Sequence, residues 1–154
     1  MKGLKIKDIS VKAKQGRYGI VYTSWNPSIV QDLLKETKKE LISQGVDETN
    51  IYLKEVPGAF ELPLATLFMA EKEGILSVIS LGAIIRGDTP HFDFISSSCL
   101  EGLQEVSLKT RIPVICGVLT TNTIKQAEER SDPNKMNKGK EFALTALNMV
   151  DSLS

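Results

Sequence analysis

The stretch LGAIIRGDTPHFDF, residues 81–94, places several residue types that can do chemistry close together. It begins as the end of an apolar run, and within six positions it then holds Arg86, Gly87, Asp88, Thr89 and the only histidine, His91. Glycine lets backbone N–H groups approach an anion, and a histidine exchanges a proton near neutral pH. An apolar strand that ends in such residues is typical of a strand that opens into a binding crevice. Taken alone, the stretch also fits an ordinary surface loop with a satisfied histidine.

Three other predicted strands end in residues suited to contact a ligand. Trp25 follows a strand over residues 18–23, and Glu61 follows a strand over residues 51–56. The last predicted strand ends in the polar residues 120–122. Two local alternatives remain open: the indole of Trp25 folds back onto the surface, or the Glu61 carboxylate only complements a helix dipole, worth roughly 0.3–1 kcal/mol.

Helical patterns separate the strands. Asn26 followed by a proline predicts a helix N-terminus, Gly45 a helix end, and Asn137 the cap of the last helix. Apolar spacing over residues 100–107 predicts the helix that follows the histidine stretch. Strand and helix alternate four times, and right-handed crossovers then give a three-layer αβα sandwich with a four-stranded parallel sheet, flavodoxin-like in type. All four polar strand ends would share one rim of that sheet.

Composition limits the class of protein. The 154 residues carry 42% hydrophobic and 25% charged side chains with zero net charge, which predicts one soluble domain over residues 1–154. The balanced charge argues against nucleic acid, and the lack of a long apolar run argues against a membrane span. Cys99 and Cys116 form no disulfide or zinc pattern and suit the cytoplasm. Scattered apolar residues over 4–11 predict either a frayed tail or an edge strand.

Four segments, in order, closely resemble the lumazine synthase family: VPGAFELP (56–63), LGAIIRGDTPHFDF (81–94), GVLTTNTIKQAEER (117–130) and NKG (137–139). The resemblance runs over about residues 18–153 without evident gaps. It implies an enzyme that condenses 5-amino-6-(D-ribitylamino)uracil with 3,4-dihydroxy-2-butanone 4-phosphate to give 6,7-dimethyl-8-ribityllumazine. It also implies a homo-oligomer built from pentamers, in which the N-terminal segment adds a strand to a neighbouring subunit's sheet. Whether a riboflavin synthase associates stays open.

The same resemblance assigns roles to particular positions. It implies that Trp25 stacks on the pyrimidine ring and that residues 59–61 hold the ribityl chain. Main-chain groups of residues 83–85 would bind the ring, while residues 87–89 and Arg130 would hold the phosphate. The implied substrate-binding set is Trp25, Ala59, Phe60, Glu61, Ala83, Ile84, Ile85, Asp88, Thr89, Cys116, Arg130 and Lys138.

His91 is implied to be the residue that transfers protons. The implied reaction forms an imine, eliminates phosphate and closes a second ring, so it needs neither a metal nor a redox cofactor. We therefore expect catalysis from proton transfer and from holding two reactants together.

Three positions depart from the family pattern. Cys116 stands where family members take an aromatic residue from a neighbouring subunit, and Asp88 puts a carboxylate beside the implied phosphate site. The segment SDPNKMNKG, residues 131–139, replaces a glycine-rich connection, which leaves assembly beyond the pentamer open. Two alternatives follow: a flavin- or pteridine-binding or shell-forming protein without turnover, and a riboflavin synthase of the lumazine-synthase-related type. The phosphate-binding pattern argues against the second.

Overall fold

The computed structural model describes residues 8–154, which form an α/β fold around one four-stranded, all-parallel sheet. The strands are β1 (Arg17–Thr23), β2 (Ile51–Val56), β3 (Ile75–Ile85) and β4 (Val114–Thr121). The helices are α1 (Val11–Lys14), α2 (Pro27–Ser43), α3 (Leu62–Ala70), α4 (His91–Thr110), α5 (Ile124–Ser131) and α6 (Lys138–Ser152). Strand order is β2-β1-β3-β4.

Two hydrophobic layers cover the two faces of the sheet. On one face, buried side chains of α2, α5 and α6, among them Leu33 and Leu147, pack against β1, β3 and β4. On the other face, α3 and α4 contribute Leu62 and Leu103 to a second cluster. This arrangement confirms the predicted three-layer sandwich, because helices cover both faces of the parallel sheet.

Local signals place the helix ends. Gly45 has φ +108°, a left-handed conformation that suits glycine, and it follows α2 as predicted. Asn137 caps α6, where its side-chain oxygen accepts from the N–H of Lys140 at 3.3 Å. Asn26 also occupies the predicted N-cap position of α2, but its side chain makes no capping bond.

The histidine stretch is more helical than its sequence pattern indicates. The apolar spacing points to a helix around residues 100–107, yet α4 already begins at His91. Pro90 precedes it with φ −68°, a value that proline's ring favours, and the Thr89 hydroxyl accepts the His91 N–H at 3.4 Å. The histidine therefore lies on the first turn of a helix rather than in a loop.

The N-terminal segment is described only from residue 8. The predicted edge strand over residues 4–11 lies mostly outside the described residues, and Val11 begins α1. Ser10 caps this short helix, and its N–H also donates to Asp151 Oδ2 on α6 at 3.0 Å. These contacts hold the described start of the chain against the last helix.

Candidate functional site

A cleft of about 460 Å³ lies at the carboxyl ends of β1, β2 and β3. Parallel α/β sheets bind ligands at this edge, because the strand-to-helix turns meet there and expose backbone groups. Eight of the predicted site residues line the cleft together: Trp25, Ala59, Phe60, Glu61, Ala83, Ile84, Ile85 and His91. The structure thus brings together residues from four separate parts of the sequence.

Backbone hydrogen bonds join the two aromatic-bearing turns of the cleft. The N–H of Ser24 donates to the Val56 carbonyl at 2.8 Å, and the N–H of Trp25 donates to the Pro57 carbonyl at 3.3 Å. Trp25 stays 71% exposed, so its indole lies at the mouth of the cleft and leaves ring surface open for stacking. Phe60, on the facing turn, is 66% exposed.

The side chain of Asn26 ties the first turn to the floor of the cleft. Its Nδ2 donates to the carbonyl of Ala83 in β3 at 2.9 Å, and its backbone is left-handed with φ 55°. The sequence pattern at Asn26 predicts a helix cap and does not indicate a cleft residue. Its position next to Trp25 on a strand-to-helix turn was the available signal. The other lining residues missed are Thr23, Pro57, Gly58 and Ile95.

Glu61 is held in the cleft by its own turn. Its Oε2 accepts the N–H of Gly58 at 3.1 Å, at the start of a short 3-10 turn over Ala59–Glu61. The Glu61 carboxylate therefore makes a local capping bond within its own turn. The same residue also lines the cleft, so its carboxylate supplies a fixed acceptor there.

The guanidinium of Arg86 is bonded to neighbouring side chains at the rim of the sheet. Its guanidinium makes a bidentate pair with Asp93 at 3.1 and 3.2 Å, and its Nε donates to Asn122 Oδ1 at 2.9 Å. The same group lies 4.3 Å from the centre of the Phe92 ring. These contacts connect the end of β3, the first turn of α4 and the turn after β4.

The remaining predicted site residues do not line the cleft of their own chain. Asp88 and Thr89 are exposed on the turn just before α4. Arg130 donates to the Gln126 carbonyl of its own helix at 2.9 Å, and Lys138 pairs with Glu141 at 2.6 Å. These positions give the cleft no cation from the same chain for a phosphate.

Cys116 lies near the start of β4, away from the carboxyl ends of the strands, where it pairs in register with Ser80. It lines a separate cleft of about 300 Å³ together with Phe142 and Met149. A site that uses Cys116 together with the cleft at the carboxyl ends of the strands must therefore combine two chains.

Among the residues that the structure describes, none of the helices has the length and apolar character that crossing a bilayer demands. Within residues 8–154, no cluster of three or more His, Cys, Asp or Glu side chains is arranged to hold a metal ion.

A doubly wound parallel sheet with an aromatic, a carboxylate and a histidine around a cleft at its strand ends defines a small-molecule-binding α/β protein. The family model of 6,7-dimethyl-8-ribityllumazine synthase matches residues 15–154 of the chain. The chain belongs to this family, an enzyme family of transferases in riboflavin biosynthesis.

Proposed function

We propose that this protein condenses 5-amino-6-(D-ribitylamino)uracil with 3,4-dihydroxy-2-butanone 4-phosphate to form 6,7-dimethyl-8-ribityllumazine, with release of phosphate and water. The observation that carries the proposal is the cleft at the carboxyl ends of the strands, which Trp25, Glu61 and His91 line together. Membership in the family supports the same reaction. The two substrates together need an aromatic surface, polar groups for a polyol and a group that moves protons.

The aminopyrimidine fits the part of the cleft between Trp25 and β3. The exposed indole offers a stacking face, worth about 0.5–1.5 kcal/mol for an aromatic pair. Backbone groups of Ala83–Ile85 form the floor, where amide and carbonyl groups match the donors and acceptors of a pyrimidinedione. Glu61 would accept hydrogen bonds from the ribityl hydroxyl groups.

His91 would carry the protons in this reaction. The substrate amine attacks the ketone carbon, and loss of water leaves an imine. Removal of a proton from the adjacent carbon lets the phosphate leave with the C–O electron pair. The hydroxyl-bearing carbon is then part of an enol, which becomes a ketone when a proton is returned to the carbon that carried the phosphate. The ribityl-bearing nitrogen attacks this new carbonyl carbon, and a second water leaves. An imidazole at the mouth of the cleft can take up and return these protons.

The phosphate of the second substrate would be bound by side chains of a neighbouring subunit. Arg130 is a predicted phosphate ligand and Lys138 is predicted to lie near the phosphate end, but neither lines the cleft formed by its own subunit. We therefore assign them, with Cys116, to the neighbouring subunit's cleft. An exposed apolar face supports such an assembly, because Leu64 and Phe68 of α3 are 63% and 67% exposed beside the edge strand β2. A homopentamer would cover this face.

The direct test mixes purified protein with both substrates and follows the fluorescence of the lumazine product. A protein-free blank is required, because the two substrates also condense without an enzyme. We expect a clear acceleration over the blank, with phosphate released in equal amount.

Other outcomes would favour a different function. A rate equal to the blank, together with quenching of the single tryptophan when lumazine or riboflavin is added, would favour a binding or scaffold protein. Riboflavin formed from lumazine alone would favour a riboflavin synthase. Gel filtration that shows a stable monomer would contradict the shared site.

Thiol labelling tests the assignment of Cys116. Burial raises the pKa of the Cys99 thiol to about 12, and burial also raises the pKa of Cys116 above its ordinary value. Because only the thiolate reacts, we expect slow labelling at neutral pH that speeds up as the pH rises above the usual thiol range. Bound lumazine should slow the labelling of Cys116 several-fold, while Cys99 reacts only after unfolding.

The control for this prediction is Cys116→Ser, which should abolish labelling of the folded protein. Peptide mapping identifies the labelled residue. Labelling of Cys116 that is equally fast with and without lumazine would contradict its place beside a ligand.

A further inference from the structure

We propose that Arg86 is a positioning residue that holds the first turn of α4, and with it His91, in place against the cleft. The proposal starts from the contacts that this turn has without Arg86. Pro90 provides no side-chain cap, and the His91 N–H reaches the Thr89 hydroxyl at only 3.4 Å. The N–H groups of Asp93 and Phe94 reach the Pro90 carbonyl at 3.1 and 3.4 Å. Only the Asp93 bond has an ordinary length, and the two 3.4 Å bonds leave this helix start weakly held.

Arg86 supplies additional side-chain contacts to the first turn of α4. Its two terminal nitrogens bind both oxygens of Asp93, which lies two residues after His91. Its guanidinium also covers the Phe92 ring at 4.3 Å, so two successive residues of the turn are held by one side chain. A planar fork of donors is suited to this task, whereas a lysine ammonium can satisfy only part of it.

Arg86 is also bonded to the ends of the strands. We call these contacts, together with those to Phe92 and Asp93, the Arg86 clamp. The backbone N–H of Arg86 donates to the Thr121 carbonyl at 2.9 Å, and its Nε donates to Asn122 at 2.9 Å. Arg86 therefore ties the helix turn to the ends of β3 and β4. The salt bridge itself is partly exposed, with 42% of the Arg86 side chain open to solvent, so its main effect is geometric rather than on global stability.

The kinetic consequence rests on the proposed function. If His91 transfers protons, loosening its helix turn should lower kcat, since an error of about 1 Å in position can cost about 100-fold. We expect Arg86→Lys to lower kcat roughly 10- to 100-fold while KM for the aminopyrimidine changes less than about twofold. Asp93→Asn should have a similar effect, because it removes the bidentate partner from the other side.

A double-mutant cycle separates positioning from general damage. In a His91→Ala background, Arg86→Lys should lower kcat no further, because the group that it positions is already absent. Arg17→Lys is the matched control: Arg17 donates to the Glu73 carbonyl at 3.3 Å, beside β3's start. That control should keep wild-type kcat. An additive loss in the double variant, or an unchanged kcat in Arg86→Lys, would overturn the proposal.

Hydrogen exchange tests the clamp without any activity. The amides of residues 95–97 bond to the carbonyls of residues 91–93, so they report opening of the first turn. We expect their exchange in Arg86→Lys to be roughly tenfold faster and unchanged in Arg17→Lys. Equal exchange in all three proteins would reject the clamp. Faster exchange without any turnover in the wild type would instead reject the proposed function and leave the clamp standing.

Discussion

Replacement of His91 by alanine should lower kcat by about 10²–10⁴-fold, the usual contribution of a positioned proton-transfer group. His91 is the only histidine in the chain, and it lines the cleft from the first turn of α4. The remaining rate should still exceed the protein-free blank, because the cleft continues to hold both substrates together. Substrate KM should change little. The measurement is steady-state lumazine formation at several concentrations of each substrate.

Two variants serve as controls for this result. His91→Gln keeps a polar side chain of similar reach without an imidazole, so it should lose nearly as much rate as the alanine variant. Lys109→Ala, on the exposed far end of α4, should keep the wild-type rate. The proton-transfer role would be refuted by an unchanged rate in His91→Ala. It would equally be refuted by a rate reduced to the blank while substrate binding persists.

Replacement of Leu81 by alanine should lower the free energy of unfolding by about 2–5 kcal/mol. Leu81 is fully buried in β3, with Tyr22 of β1 and Gly117 of β4 as its register partners. A Cβ at Gly117 would lie 2.6 Å from a Leu81 methyl carbon, which shows how closely the leucine fills this space. Leu81 belongs to the cluster that α2 and α6 form against the sheet, so truncation would leave a cavity between the sheet and these helices, which close packing allows to collapse only in part.

Chemical denaturation at one fixed protein concentration measures this loss, because oligomers unfold at concentration-dependent midpoints. Leu153→Ala is the matched control, since Leu153 is 65% exposed after α6. We expect it to change stability by less than about 0.5 kcal/mol. A loss below about 1 kcal/mol for Leu81→Ala would mean that the sheet repacks around the missing side chain.

Much of the fold could be predicted from the sequence because its signals are local. Strand-to-helix alternation follows from apolar spacing, and the ends of α2 and α6 follow from Gly45 and Asn137. Parallel strands joined by right-handed crossovers then place all the polar strand ends on one edge. The meeting of Trp25, Glu61 and His91 in one cleft was predictable for this reason.

Side-chain partners were not predictable, since they depend on contacts between residues far apart in sequence. Arg86 stands in the stretch whose sequence is typical of a binding crevice, yet its Nε donates to Asn122, 36 positions away. The pattern at Asn26 predicts a helix cap, yet its side-chain amide donates to the carbonyl of Ala83, 57 positions away. In both cases the observed hydrogen-bond partner lies on another element of the fold.

Patterns within the sequence are enough to predict the class of fold, the edge of the sheet that holds the cleft and the residue types available there. The early start of α4 and the separation of Cys116, Arg130 and Lys138 from their own chain's cleft are visible only in the folded chain. The physical reason is that periodicity and capping act within a few residues. Side-chain partners and distances arise only when packing brings remote segments together.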